Sequence, residues 1–368
     1  MSATMRAARL HAVGEPMKLE DLPIPTPGPN DVRVEVRAVN IVPNLANILH
    51  RWPTWYPRHP LPTLPAIFGL DAAGVVDGVG EAVQGFSPGD HVYINPGRYC
   101  GSCRACRHGD GLNCASYAYA GYFGHSPTSV ELMDRYQGGL AEFTIAPDYS
   151  LVRLPRDLAF EQAARFGYLG TMYAALRLAN LAPGRSLLVN GISGTLGIGA
   201  ALLAPALGLT DVYGTGRDRT LLAKVNELAP GRFRLHSLDD GPVDEWIMQE
   251  TDDYGVDAYI DALGAAADPH SFVEGMRALA RGGTAVNIGG VSGDVPIDVR
   301  WLMGHGQRLI GSAWFTAGQG QELADLCSAG LLDLSPLEHQ VHRLEDINDA
   351  LNGLGKRNGG FSNFIIKP

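Results

Sequence analysis

The chain has 368 residues, enough for two domains of ordinary size, and 45% of them are hydrophobic against 18% charged, which excludes a disordered chain. Its 29 basic and 39 acidic residues leave a formal charge of −10, which argues against a general nucleic-acid binder or a protein held on anionic membranes. No run of 18 apolar residues and no N-terminal signal-peptide core is present, so a cytoplasmic protein with no membrane partner is expected.

Short strands are expected at 5–10 and 17–22, and the alternation VRVEVRAVN marks a half-buried strand over 31–40. Residues 44–49 suit a short helix. The stretch 51–69, rich in aromatics and Pro, is too broken for a long element and reads either as a wall over an active site or as a packed surface loop. Further strands at 72–79 and 90–95 complete a β-rich, barrel-like region.

Cys100, Cys103, Cys106 and Cys114 follow with spacing C-x2-C-x2-C-x7-C. Four thiolates on one loop close a tetrahedral zinc site with no open position, so the expected metal is structural. An iron–sulfur cluster begins with the same spacing, but its fourth Cys comes three residues on and precedes Pro, and neither holds here. Cys327 lies alone in an apolar helical run and reads as a buried inert thiol. Residues 117–136 form a long, irregular insertion with tyrosines at 117, 119, 122 and 136, readable as a substrate lid or a flap against a neighbouring subunit.

The stretch SLLVNGISGTLGIGAALLAPALGLTDVYGTGRDR at 186–219 is a strand, a glycine turn, a helix and a second strand. Gly191, Gly194 and Gly197 let the backbone approach a pyrophosphate seated on the helix N-terminus, with Ser193, Thr195 and Leu196 completing the loop. An NAD-binding unit ends its second strand in an acidic residue; here Thr215 and Gly216 end it. Gly216 leaves room for a 2′-phosphate, and Arg217 and Arg219 offer guanidinium forks, which favours NADPH. Asp218, between them, would meet the ribose if the loop were shifted by two residues. Beyond this unit, strands are expected at 256–263, 284–289 and 308–315, with helices at 157–164, 170–180, 220–228, 272–279, 323–329 and 346–354.

Several pieces, in order, resemble the medium-chain dehydrogenase/reductase superfamily of zinc alcohol dehydrogenases and quinone oxidoreductases. They are GLDAAGVVDGVG at 69–80, PGDHVY at 88–93, the cysteine lobe, GGLAEF at 138–143, LGTMYAAL at 169–176, the GISGTLG loop, IDALG at 260–264 and GGTAVNIGG at 282–290. The resemblance implies an α/β chain: a GroES-like β-barrel catalytic domain over 1–155 with a zinc lobe at about 97–116, a doubly wound Rossmann domain over 156–310, and a C-terminal return over 311–368. It also implies a homodimer or homotetramer acting on a small carbonyl or enone substrate, with Asp261, Gly289 and Gly290 near the cofactor.

The catalytic zinc set does not carry over. Where zinc-dependent members place a Cys, a His-Glu pair and a second Cys, the chain has Val42, Leu70-Asp71 and Gly167. Val, Leu and Gly offer no side-chain ligand, so no catalytic zinc is expected, and a rearranged site built from Asp71 with His50 or His59 would still lack a third ligand. A donor must then stabilise the developing oxyanion. Asn40 resembles the Asn of zinc-free quinone reductases, and Asn44 lies where zinc enzymes keep a relay hydroxyl. Tyr56 and the insertion tyrosines are candidate acids, and Thr171 lies in the segment that approaches the nicotinamide in the family. Asn caps turns and Tyr packs cores often enough that none of these stands out, and Thr171 is the better candidate, against a cap or buried hydroxyl at a helix start. The reading is an NADPH-dependent carbonyl/alcohol oxidoreductase. The alternatives are an ene/quinone reductase and a non-enzymatic NADPH-binding protein.

Overall fold

The computed structural model describes residues 3–368. Two sheet systems carry the fold. In the first, strands run in the order Leu151–Arg153, His91–Ile94, Asp71–Val79, Asp31–Asn40, Ser362–Lys367 and Glu338–Arg343, with Phe143–Pro147 also paired to Asp31–Asn40. A three-stranded sheet of Lys18–Pro23, Thr4–Leu10 and Ala66–Ile67 closes over it. The last two strands of the long sheet come from the chain's C-terminal end, and Ile365 and Ile366 pair antiparallel with Asn40 and Val39.

The second system is a six-stranded parallel sheet in the order Phe233–Ser237, Asp211–Gly216, Ser186–Asn190, Val256–Asp261, Leu279–Asn287, Arg308–Gly311. In chain order this is 3-2-1-4-5-6, the doubly wound arrangement whose direction reverses beside its first strand. Ligands of such sheets bind outside the strand C-termini at that switch point, which here is the glycine loop after Asn190.

The helix Phe166–Leu178 lies where the two systems meet, and ten of its thirteen residues are buried. Its glycines allow close approach: a Cβ on Gly170 would lie 2.5 Å from the Phe315 ring, and one on Gly199, in the next helix, 3.1 Å from Met172. Phe315 is 1% exposed, stacks toward Tyr93 of the barrel, and its carbonyl accepts from Asn95 Nδ2 at 3.1 Å.

Several elements differ from the sequence expectation. The helix expected at 44–49 runs Leu45–Trp55 and carries Pro53 in its last turn, because Ile48, Leu49 and Trp52 continue its buried stripe. The insertion 117–136 is not an irregular flap. Its four tyrosines are buried, it holds a helix Val130–Arg135, and Asp134 accepts from Thr63 N and Oγ1, both at 2.7 Å. Tyr136 OH donates to Asp31 at 2.8 Å. Thr171, expected near a helix start, is mid-helix, and its hydroxyl donates to the Gly167 carbonyl one turn back at 2.8 Å. Among the described residues no helix is long and apolar enough to cross a membrane.

Phe315 fills the junction between the two systems, so Phe315→Ala should cost about 3–5 kcal/mol, as large aromatic truncations in packed cores do. Denaturant unfolding of the variant against the parent checks this.

Candidate active site

The glycine loop is built by close packing. Gly191 has φ of +79°, a left-handed conformation that favours glycine, and a Cβ on Gly197 would overlap the Gly191 carbonyl oxygen. The helix Gly197–Ala206 starts directly beyond the loop, so the positive end of its dipole lies there, while the N–H groups of Ile198 and Gly199 donate to the Gly194 and Leu196 carbonyls at 2.9 and 3.0 Å. Beneath it, Thr215 Oγ1 bonds Asn190 Oδ1 and accepts from Gly191 N at 3.2 Å, and Asn190 Nδ2 reaches Tyr259 OH at 3.3 Å. Tyr259 OH donates to Asp261 Oδ1 at 3.0 Å. Burial pushes the fully buried Asp261 carboxyl up to about 6. A side chain on Gly289 would meet Asp261 Oδ2 at 2.6 Å, whereas Gly290 is open.

The C-terminal return lies directly on this loop. Gly360 N donates to Ser193 O at 2.8 Å, and a Cβ on Gly360 would overlap the Gly194 carbonyl. Arg357 Nη1 donates to Thr195 Oγ1 at 2.9 Å, and Arg165 Nη2 to Gly360 O at 2.8 Å. Arg357 and Arg165 therefore bring two cations to the loop that the sequence reading missed. The Gly359-Gly360 pair after Arg357 was the available signal.

At the far end of the second strand, a Cβ on Gly216 would lie 2.9 Å from Ser193 Oγ and 3.0 Å from Leu222. Both neighbours are side-chain ends that can give, so the site is tight without barring a side chain. Asp218 caps the helix Arg219–Leu228, its Oδ1 accepting from Thr220 N and Leu221 N at 2.8 and 3.2 Å. Arg219 pairs both guanidinium nitrogens with Asp240 at 3.0 and 2.6 Å, so the fork expected to take a phosphate is already occupied by a carboxylate. Arg217 is exposed.

The positions of the missing zinc ligands are filled by apolar packing and one carboxylate. Val42 and Leu70 are 3% and 6% exposed in the barrel core. A Cβ on Gly167 would overlap the Asp71 carboxylate, so that carboxylate occupies the space of any side chain at 167. Asp71 is wholly buried. Tyr93 OH donates to its Oδ1 at 2.7 Å, and Asn40 Nδ2 approaches its Oδ2 at 3.4 Å. Asn363 Nδ2, on the last strand, donates to Asn40 Oδ1 at 2.5 Å. Burial pushes the Asp71 carboxyl up to about 7 against the opposing Tyr93 and Asn40 bonds. Arg165 is 1% exposed with Nε and Nη1 unpartnered among the described residues, and burial lowers it to about 10.

The sequence candidates scatter around this centre. Asn40 is fully buried with its amide engaged by Asp71 and Asn363. Asn44 Nδ2 donates to Tyr122 OH at 3.1 Å. Tyr56 is 47% exposed on the outer edge of an aromatic cluster, stacked on Trp52 and His59; Trp52 in turn stacks on Phe123. Tyr168, which the sequence reading passed over between Gly167 and LGTMY, is half-buried on the helix Phe166–Leu178 and packs against the barrel core.

In the cysteine lobe the four Sγ atoms lie within 4.8 Å of one another, with Cys103 3.6 Å from Cys106 and 3.8 Å from Cys114. Tetrahedral Zn–S bonds of about 2.3 Å put sulfurs about 3.8 Å apart, so the donor set fits a closed zinc site. Amide N–H groups of Cys100 and Ser116 point at Cys114 Sγ, both at 3.3 Å, as expected around thiolates that carry charge to a metal.

A barrel joined to a doubly wound parallel sheet, a four-cysteine lobe and a glycine loop at the switch point define a medium-chain dehydrogenase/reductase. The alcohol dehydrogenase GroES-like domain family matches residues 28–156 and the zinc-binding dehydrogenase family residues 195–329. The chain belongs to this zinc-type alcohol dehydrogenase-like superfamily and is an oxidoreductase that uses a nicotinamide cofactor. It is 30% identical to an NAD-dependent alcohol dehydrogenase of Sulfolobus acidocaldarius over 356 residues, 96% of each chain. It is also 30% identical to an alcohol dehydrogenase of Geobacillus stearothermophilus, over 96% of this chain and 98% of that one. A cobalt- and zinc-bound thermostable alcohol dehydrogenase from Pyrobaculum aerophilum superposes with a TM-score of 0.78 at 27% identity, over 100% of both chains.

Because the Asp71 carboxyl titrates higher in the folded chain than in the unfolded one, the native state binds the extra proton between about pH 4 and 7. Its contribution to stability is therefore present at low pH and lost as pH rises through 7. Asp71→Asn, which mimics the protonated form, should reduce this decline, so that variant and parent diverge most above pH 7. Urea midpoints measured from pH 5 to 8.5 check it.

Proposed function

We propose that the chain is an NADPH-dependent reductase that transfers a hydride to a small carbonyl compound, or back from the alcohol, without a catalytic metal. The observation that carries this reading is the Asp71 carboxylate seated where a side chain of residue 167 would project, beside Val42 and Leu70. These residues do not fit a catalytic zinc, which normally takes three protein ligands. Among the described residues, the cysteine quartet is the group of three or more potential ligands close enough to share an ion, and neither His50 nor His59 joins Asp71 in such a group.

A bound nicotinamide would supply the hydride at its ring carbon. The chain's part is to hold it. Gly191, Ser193, Gly194, Thr195, Leu196 and Gly197 take the pyrophosphate, assisted by the Arg357 guanidinium on Thr195. Thr171, Asp261, Gly289 and Gly290 shape the nicotinamide end. At the ribose end, Thr215 and Gly216 close the strand and Arg217 receives the 2′-phosphate. Arg219 joins it only by exchanging Asp240 for the phosphate, which costs little because exposed ion pairs are weak. The relatives named NAD-dependent make the cofactor a sharp test. The lack of an acidic side chain at Gly216 and the engagement of Asp218 as a helix cap support the NADPH side.

The same constellation serves conjugate reduction if the bound substrate presents an activated C=C to the nicotinamide, and the lack of a three-ligand catalytic metal set among the described residues favours that second reading. NADPH consumption with an enone, followed by product analysis for allylic alcohol or saturated ketone, separates the two. Tight NADPH binding with no turnover of aldehydes, ketones or enones would instead make the chain a binding protein. We also assign a homodimer or homotetramer. The edge strand Arg308–Gly311 and the neighbouring helix leave Val299, Met303 and Leu309 exposed at 72%, 76% and 40%.

Arg217→Ala should weaken NADPH by about 1–3 kcal/mol, the scale of a lost charge-assisted bond, and leave NADH nearly unchanged. Fluorescence titration with both nucleotides checks it, and equal losses would remove the 2′-phosphate assignment.

A further inference from the structure

We infer that Tyr259 is a positioning residue for the cofactor, holding the Gly191 turn through a buried relay that runs from Thr215 to Asp261. The inference goes beyond the metal-free reading and does not need it, because the relay lies under the loop that NADPH and NADH would share. Asn190, Thr215, Tyr259 and Asp261 lie toward the C-terminal ends of three adjacent strands of the parallel sheet, and all four are 0% exposed. Buried polar side chains are costly unless hydrogen-bonded, and these bond to one another.

The relay has one direction. Gly191 N donates to Thr215 Oγ1 at 3.2 Å, and Thr215 Oγ1 donates to Asn190 Oδ1. Asn190 Nδ2 donates to Tyr259 OH at 3.3 Å and to the Ser271 carbonyl at 3.0 Å, which fixes the way its amide faces. Tyr259 OH donates to Asp261 Oδ1 at 3.0 Å. Each donor thus points one step closer to the carboxylate, which when ionised only accepts. Links in such a chain polarise one another, so cutting one weakens the rest. The Tyr259 ring is held in place from the neighbouring helix Pro269–Arg277. A Cβ on its Gly275 would overlap the ring, and its Phe272 meets the ring edge-on at 5.8 Å.

What the relay holds is the pivot of the glycine loop. Gly191 has φ of +79°, its N–H ends on Thr215, and its carbonyl accepts from Gly194 N at 2.9 Å. At the other end, Asp261 Oδ2 has no hydrogen-bond partner among the described residues and lies where a side chain of Gly289 would project. One carboxylate therefore stands between the loop after the first strand of the sheet and the Gly289-Gly290 turn after the fifth. A loop already held in one shape loses less freedom when a nucleotide arrives, so the relay strengthens binding. Tyr259 does this at one remove, through Asn190 and Thr215.

The test uses full chains carrying Tyr259→Phe, Thr215→Val or both, titrated with NADPH and with NADH by fluorescence. Each single variant should weaken both nucleotides about tenfold, the scale of one lost buried hydrogen bond. The double variant should bind about as well as the weaker single one, because both changes cut one chain. In the nucleotide-free chain the Gly191 amide should exchange its hydrogen about tenfold faster in Tyr259→Phe than in the parent. Tyr173→Phe removes a phenol that donates to Glu322, outside the relay, and should keep both affinities within about threefold. Losses that multiply in the double variant, an unchanged Gly191 exchange rate, or a Tyr259→Phe chain that binds both nucleotides as the parent does would overturn the assignment. So would a loss confined to NADPH, or an equal loss in Tyr173→Phe. A parent chain that takes neither nucleotide overturns it together with the cofactor.

Discussion

The contact between the Asp71 carboxylate and the bare Cα of Gly167 decides what the site can be. A carboxylate buried to 0% exposure is costly unless hydrogen-bonded, and here Tyr93 and Asn40 meet it from the barrel while Asn363 fixes Asn40 from the last strand. The group lies at the junction of the barrel with the helix Phe166–Leu178. The same packing that seals the barrel therefore removes the room a third metal ligand would need. Val42 and Leu70 complete the exclusion by joining the apolar core.

On the proposed metal-free reading, charge stabilisation falls to organic groups. Charged groups from distant parts of the chain flank this region: Arg165 at the helix start, Arg357 from the C-terminal return, and Asp71 from the barrel. The return has two tasks. Its final strand pairs with Asp31–Asn40, and the turn before that strand rests Gly360 on Ser193 and Gly194. Cofactor loop and barrel are thereby tied through one segment. The cysteine lobe stands apart from this region, and its four Sγ atoms fit a zinc ion that would hold the lobe together.

Much of this was legible from local pattern. The alternating strand 31–40, the glycine loop and the cysteine spacing each follow from chemistry confined to a few consecutive residues. The expectation of no catalytic zinc rests on Val42, Leu70 and Gly167 alone. What escaped depends on residues distant in sequence. Nothing near position 363 reveals that Asn363 bonds Asn40, and nothing near 357 that Arg357 reaches Thr195. Asn40 looked like a donor because its segment resembles one, yet tertiary contacts consume its amide. Arg219 looked like a phosphate fork until Asp240, twenty-one residues on, took both nitrogens. The insertion 117–136 looked irregular because its tyrosines follow no helical or strand period. They are spaced instead to fill the barrel end.

The central claim is that catalysis proceeds with one metal, held by four cysteines and taking no part in the reaction. Metal content per chain, determined by mass spectrometry on catalytically competent protein, tests it most directly. The account predicts one zinc per chain, with turnover that does not rise when further zinc is supplied. About two zinc ions per chain, or activity that appears only on zinc addition, would contradict it.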